Sequence, residues 1–352
     1  MEYRRLGSTG VKVSVHCLGA MMFGEWGNTD HDESIRIIHA ALDGGINFID
    51  TADVYSAGES EEIVGKALKG RRDDVVLATK FHGSMGPSLN ERGNSRLWIM
   101  REVENSLRRL QTDHIDLYQV HRPDPKTDIA ETLGALDDLV AAGKIRYAGC
   151  STFPAWMVVE SQVVAERRGI TRFVCEQPPY SIFVRHVENE LFPVTQRYGM
   201  GVIVWSPLAG GWLAGKYRRD KDTPPDSRAI RFKQRGSPVA ARYDLSRPAN
   251  QRKLDLVDDL DVIADKSGIS LTHMAIAFSL AHPAVTSSII GPRTMEQLTD
   301  LLAGADVRLE DDTLDAIDEV VAPGSVIEQS DRGWEPPWMS PEERRRPAWK
   351  PR

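Results

Sequence analysis

From His16 onward, short apolar runs alternate with longer amphipathic ones, and the alternation repeats eight times. Short runs rich in Val and Ile between turn residues read as buried strands. Apolar positions recurring every three or four residues read as helices. Strands are expected at 16–20, 46–50, 75–79, 115–120, 145–149, 173–175, 201–205 and 285–290. Helices are expected at 32–43, 59–69, 96–110, 129–142, 155–167 and near 188–198, then at 251–266, 271–281 and 295–303, with an extra one at 313–321. In the first helix Ile35, Ile38 and Leu42 share a face, and Gly44-Gly45 stops it. Such a series argues for a parallel α/β fold. For 352 residues a closed (β/α)8 barrel fits better than an open sheet. Residues 3–15 alternate around Gly7-Ser8-Thr9-Gly10, which predicts a β-hairpin capping the barrel floor.

Polar residues follow the strands. Asp50, Lys80, His121, Ser151, Gln177 and Ser206 stand at successive strand ends, and in a barrel those ends converge on the face where sites are built. The stretch Phe48-Ile49-Asp50-Thr51-Ala52-Asp53-Val54-Tyr55 starts as a buried strand and ends as a polar loop. It delivers a carboxylate and a phenol to one mouth. A free phenol, with a pKa of about 10, donates poorly near neutral pH. A neighbouring ammonium favours phenolate; Lys80 is the candidate, with Asp50 holding it by a salt bridge. His121 is placed to orient a carbonyl oxygen or help pass a proton. Together these groups suit protonation of a carbonyl oxygen as hydride reaches its carbon. No side chain donates hydride, so a cofactor must supply it. Singly, each residue has a plainer reading as a packing, capping or loop residue, and the joint placement carries the argument.

The later strand ends read as a cofactor site. Ser151, Thr152 and Gln177 offer hydroxyl and amide groups for a carboxamide, and Trp205 offers a flat face for a nicotinamide ring, or else a core indole. Gly210-Gly211 permits close backbone approach to a pyrophosphate. Lys216 and Arg228 add positive charge in a long irregular connection over 207–250. Ile290-Gly291-Pro292-Arg293-Thr294 opens a helix whose N-terminus favours phosphate, with Arg293 suited to the 2′-phosphate of NADP. No GxGxxG follows a strand, so a Rossmann domain is not indicated.

Composition narrows the class. The formal net charge of −7 disfavours a nucleic-acid partner. The run Arg344-Arg345-Arg346 reads as a solvated tail. Three cysteines, Cys17, Cys150 and Cys175, lie in strand-like runs, as expected of buried thiols in a reducing compartment. Neither CxxC nor HExxH occurs, so no metal site is expected. No run approaches the roughly 18 apolar residues of a membrane span, and the N-terminus lacks a signal-peptide core. A cytoplasmic protein without a membrane partner is the expectation.

The motifs as a set resemble the aldo-keto reductases, and the likeness runs from about Tyr3 to about Val320. It is carried by Gly45-x-Asn47-Phe48-x-Asp50-Thr51-Ala52-x-x-Tyr55, Thr79-Lys80, Gln119-x-His121-Arg122-Pro123-Asp124, Trp205-Ser206-Pro207-Leu208 and Ile290-Gly291-x-Arg293-x-x-x-Gln297-Leu298. The resemblance implies a single TIM-barrel domain over 1–321, NADPH/NADP+ as cofactor, a small carbonyl substrate and the catalytic tetrad Asp50, Tyr55, Lys80 and His121. It implies that Ser151, Thr152, Gln177 and Trp205 hold the nicotinamide, with Ala20, Met21, Asp50 and Gly291 beside the cofactor. Ser206, Pro207, Leu208, Gly210, Lys216 and Arg228 would cover the pyrophosphate, and Arg293 and Gln297 would meet the adenosine end. Two positions depart from the family pattern: Thr152 stands where Asn is usual, and Asp300-Leu301 where Glu-Asn is frequent. Met22, Trp26, Phe81, Trp98 and Phe153, beside Tyr55 and His121, are expected to line an apolar mouth. The tail over 322–352 either folds over that mouth or stays mobile. Two rival readings remain at this stage: an NADP(H)-binding subunit of a partner protein, like relatives of potassium-channel β-subunits, and a barrel enzyme of another class. Homo-oligomerisation is open.

Overall fold

The computed structural model describes residues 1–219, 221–225 and 227–344. Arg345 and Arg346 of the basic run, and the rest of the tail, lie outside the described residues. The hairpin forms as β1 (Tyr3–Arg5) and β2 (Lys12–Ser14), antiparallel, with Tyr3 opposite Ser14. Eight parallel strands follow: β3 (His16–Gly19), β4 (Phe48–Asp50), β5 (Val76–Phe81), β6 (Ile115–Val120), β7 (Ile145–Ser151), β8 (Phe173–Gln177), β9 (Gly201–Val204) and β10 (Ser287–Ile290). They close into a barrel in chain order, with β10 pairing both β9 and β3. The molecule is a (β/α)8 TIM barrel with an N-terminal hairpin.

Strand periodicity explains where the polar groups go. Alternate residues face the barrel interior. Near the floor the interior is apolar, formed by Cys17, Phe48, Ala78, Leu117, Cys175 and Ile203, and Leu6 and Val13 of the hairpin plug it. Two residues further along, the same parity presents Asp50, Lys80, Gln119 and Gln177, all buried. The interior thus changes from apolar to polar toward the C-terminal mouth. Residues of the opposite parity, such as Leu18, Ile49, Leu77 and Tyr118, face the helices and join the larger outer core.

The surrounding helices are α1 (His31–Asp43), α2 (Glu59–Ala67), α3 (Arg96–Leu110), α4 (Ile129–Ala141), α5 (Ala155–Arg168), α6 (Leu191–Arg197), α7 (Arg228–Gln234), α8 (Pro248–Lys266), α9 (Leu271–Ala281), α10 (Met295–Ala303) and α11 (Asp311–Val320). Asp30, Ser95, Asp128, Ser270 and Thr294 each cap a helix by accepting from a first-turn amide. The connection after β9 is less irregular than its composition predicts. It contains tight turns at Ala209–Ala214 and Pro238–Tyr243 and the helix α7.

Beyond Val321 the chain returns across the mouth. The Arg185 amide donates to the Ser325 carbonyl at 2.8 Å, and the Ile327 amide to the Phe183 carbonyl at 3.1 Å. Glu328 then pairs with Arg247 at 2.8 Å and Asp331 with Lys253 at 2.6 Å. Among the described residues no helix is long and apolar enough to cross a membrane. Among them, too, no group of three or more His, Cys, Asp or Glu could hold a metal ion. All three cysteines are buried and free.

Candidate active site

Asp50 ends β4 and Lys80 lies within β5, the neighbouring strand. Their side chains meet inside the barrel, where Lys80 is fully buried. The Lys80 ammonium donates to Asp50 Oδ1, to the Thr51 carbonyl at 2.8 Å and to the Tyr55 phenol oxygen at 3.4 Å. Burial opposes the charge, but Asp50 and Tyr55 more than offset it, so the Lys80 pKa lies above its ordinary value. The other Asp50 oxygen accepts from Gln177 at 2.8 Å and Gln119 at 3.2 Å. The ion pair therefore has the further hydrogen bonds that a buried pair needs.

Tyr55 arrives on a strained turn. Ser56 and Ala57 adopt left-handed φ values of 49° and 55°, and Ser56 Oγ accepts from the Trp26 amide at 3.0 Å. Seven described non-glycine residues have positive φ. Six of them, Ser56, Ala57, His82, Thr152, Ser206 and Ala209, lie on segments that follow barrel strands. Strained positions of this kind cluster at functional sites.

The His121 ring stands edge-on to Tyr55, with centroids 5.6 Å apart and planes at 82°. Burial, with Arg122 and Lys80 nearby, drives its pKa well below the ordinary value, which favours the neutral imidazole. Trp26 lies 5.9 Å from Tyr55 on another side. All four expected catalytic side chains are thus brought together.

Asp50, Tyr55 and His121 line a cavity of about 770 Å³, a size typical of a cofactor or substrate site, with Lys80 buried behind them. Met21, Met22, Trp26, Asp50, Tyr55, His121, Gln177 and Trp205 line it. The segment after β9 contributes Ser206, Pro207, Leu208, Gly210, Lys216 and Arg228, and the segment after β10 contributes Gly291, Arg293, Gln297 and Leu301. Gln297 folds back to accept from the Arg293 amide at 2.8 Å. Ala20, Ser151 and Thr152 are buried outside this lining. Ser151 donates to the Gln177 carbonyl at 2.8 Å, and the Ala20 amide to the Asp50 carbonyl at 2.8 Å.

Three expected mouth residues are elsewhere. Phe81 follows the inward-facing Lys80, so strand parity turns it outward onto Tyr118, with centroids 4.8 Å apart. Trp98 is buried in the first turn of α3. Phe153 is buried against Phe173, with centroids 5.9 Å apart.

Other contributors have no assigned role in the sequence reading. Gln119 was visible in the Gln119-x-His121 motif and braces Asp50. Arg122, Arg242, Asp331 and Gly333 also line the cavity. Glu176, beside Gln177, is fully buried, and burial pushes its carboxyl up to about 7.

The family model of the aldo/keto reductase family matches residues 17–322. The uncharacterized oxidoreductase YrpG of Bacillus subtilis (strain 168) is 40% identical over 332 residues, covering 91% of this chain and 96% of its own. The aldo-keto reductase YhdN of the same organism is 38% identical over 308 residues, covering 86% and 88%. A probable voltage-gated potassium channel subunit beta of Oryza sativa subsp. japonica is 37% identical over 336 residues, covering 91% and 97%. With a barrel whose polar mouth gathers Asp50, Tyr55, Lys80 and His121, and a family match spanning nearly its whole length, the chain belongs to the aldo/keto reductase family of oxidoreductases.

Proposed function

We propose that the protein reduces aldehydes or ketones to alcohols with NADPH, and that Tyr55 supplies the proton. The observation that carries this is the contact chain from Asp50 through the buried Lys80 to Tyr55, whose two ends line the cavity, with His121 beside Tyr55. NADPH, when bound, supplies the hydride that no side chain can give.

The cavity wall suits that cofactor on its own chemistry. Lys216, Arg228 and Arg293 would meet its phosphates, with Arg293 at the 2′-phosphate. Gly210 and Gly211, at φ 73° and 108°, let backbone approach closely. Trp205 would take the nicotinamide, and Gln177 would hold it from the barrel side. Leu301 offers no hydrogen bond to adenine.

A carbonyl oxygen placed between Tyr55 and His121 accepts a hydrogen bond from each. As negative charge grows on that oxygen, the Tyr55 proton moves to it. The Lys80 ammonium, 3.4 Å from the phenol oxygen, stabilises the phenolate left behind. Asp50 keeps Lys80 charged and aimed. His121, held neutral by burial, donates a hydrogen bond without competing for the proton.

The likeness to probable channel β subunits favours a second reading, an NADP(H)-binding subunit with little turnover. One experiment separates the two: fluorescence titration with NADPH and NADH, then NADPH oxidation with neutral aromatic aldehydes. Tight NADPH binding with turnover supports the reductase. Tight binding with no turnover on any carbonyl supports the subunit.

A further inference from the structure

Among the described residues, the reductase reading leaves one cation of the cavity wall unused. Arg235 lies 3.7 Å from Glu25 and Arg242 3.8 Å from Asp331, while Lys216, Arg228 and Arg293 are the cations assigned above to phosphates. Arg122 remains, and it stands at the catalytic end. It follows His121 in the chain, lines the same cavity as Tyr55 and lies 5.9 Å from the Trp205 ring centre.

Its guanidinium is mostly buried, yet its hydrogen bonding is sparse. One nitrogen donates to the His121 carbonyl, and the group faces the Trp205 ring; among the described residues it makes no ion pair. Glu176 is within electrostatic reach but accepts from the Phe153 amide at 3.0 Å instead. A guanidinium carries five donors, and a desolvated one without a counter-ion is costly to keep. Burial lowers its pKa, and the nearby Arg242 charge adds to the lowering. This is an environment that an anion would relieve.

We propose that Arg122 is a specificity residue for the substrate, and that the preferred carbonyl compound carries a carboxylate, which the Arg122 fork binds while the carbonyl meets Tyr55 and His121. The inference rests on the reductase reading and deepens it. Met22 and Trp26 supply an apolar wall for the body of such a molecule. Planar, bidentate pairing with a carboxylate is what a guanidinium does better than an ammonium.

The test compares ortho-, meta- and para-carboxybenzaldehyde, each with its methyl ester, as substrates of the whole chain with NADPH. At least one acid should exceed its ester in kcat/KM by roughly tenfold or more, most of it in KM. In Arg122→Gln that ratio should fall to about one, and Arg122→Lys should retain part of it. A wild-type ratio at or below one for all three isomers overturns the proposal, whether or not the Gln variant folds. A ratio that survives in Arg122→Gln overturns it too, because the anion is then held elsewhere. Turnover of the esters without preference for any acid removes the carboxylate subsite alone. Absence of NADPH oxidation with every acid and ester removes the reductase reading beneath it, and the subsite falls with it.

Discussion

Gly333 lies so close against the indole of Trp205 that a Cβ there would come 2.5 Å from the ring's Cζ2. Only glycine fits, and its φ of 82° is one that glycine adopts freely. The segment carrying it is tied down on either side of the mouth. Glu328 pairs with Arg247, Asp331 with Lys253, and Arg242 donates to the Ser330 carbonyl at 2.9 Å.

If Trp205 holds the nicotinamide, this strap must loosen before the cofactor can leave. Asp331→Asn weakens the tie to the buried Lys253. NADPH release, followed by stopped-flow fluorescence, should become severalfold faster, with a smaller change in the association rate. An unchanged release rate would mean that the strap does not gate the site.

The Asp50–Lys80 pair should behave as a unit. Lys80→Met leaves a buried carboxylate without its cation and should cost about 3–5 kcal/mol in urea denaturation. Asp50→Asn combined with Lys80→Met should recover much of that stability, since the buried charges are then gone together. Neither variant should turn over carbonyls, because the phenolate of Tyr55 has lost its ammonium. Additive losses of stability in the double variant would contradict the pairing.

The barrel, and the placing of Asp50 and Lys80 at its polar end, were legible because strand parity is a local rule. Phe48 and Asp50, or Ala78 and Lys80, are two apart, so a residue that packs the floor announces a polar one at the mouth. The same rule was available for Phe81 and was overridden by the expectation that aromatics line a mouth; it follows Lys80 and must face the helices. Trp98 lies on the buried face of α3 with Ile99, Val103 and Leu107, and Phe153 on a connection where no such parity applies. The strap was legible only as one of two alternatives for the tail, and its anchors were not, since Asp331 meets Lys253 and Gly333 meets Trp205 across long stretches of chain. Arg122 stands within the Gln119-x-His121-Arg122 motif, but that it pairs with no carboxylate among the described residues is a fact of three dimensions.

Glu176 predicts a pH dependence of stability. Its folded pKa is raised by burial to about 7, against about 4.3 in an unfolded chain. Between those values the native state holds a proton that the unfolded state has lost. Stability from this group is therefore full below about pH 4 and falls as pH rises through 7. Glu176→Gln keeps a carbonyl to accept from the Phe153 amide and removes the ionisation. It should match the wild type near pH 4 and exceed it at pH 8 by on the order of 3 kcal/mol. An equal difference at both pH values would contradict the assignment.

The most direct test of the proton donor is Tyr55→Phe at saturating NADPH with a neutral aromatic aldehyde. The substitution removes one oxygen and leaves the ring that packs between Trp26 and His121. Turnover should fall by about 10²–10⁴-fold while NADPH still quenches the protein's fluorescence as in the wild type. Wild-type turnover in that variant would show that the proton comes from another group.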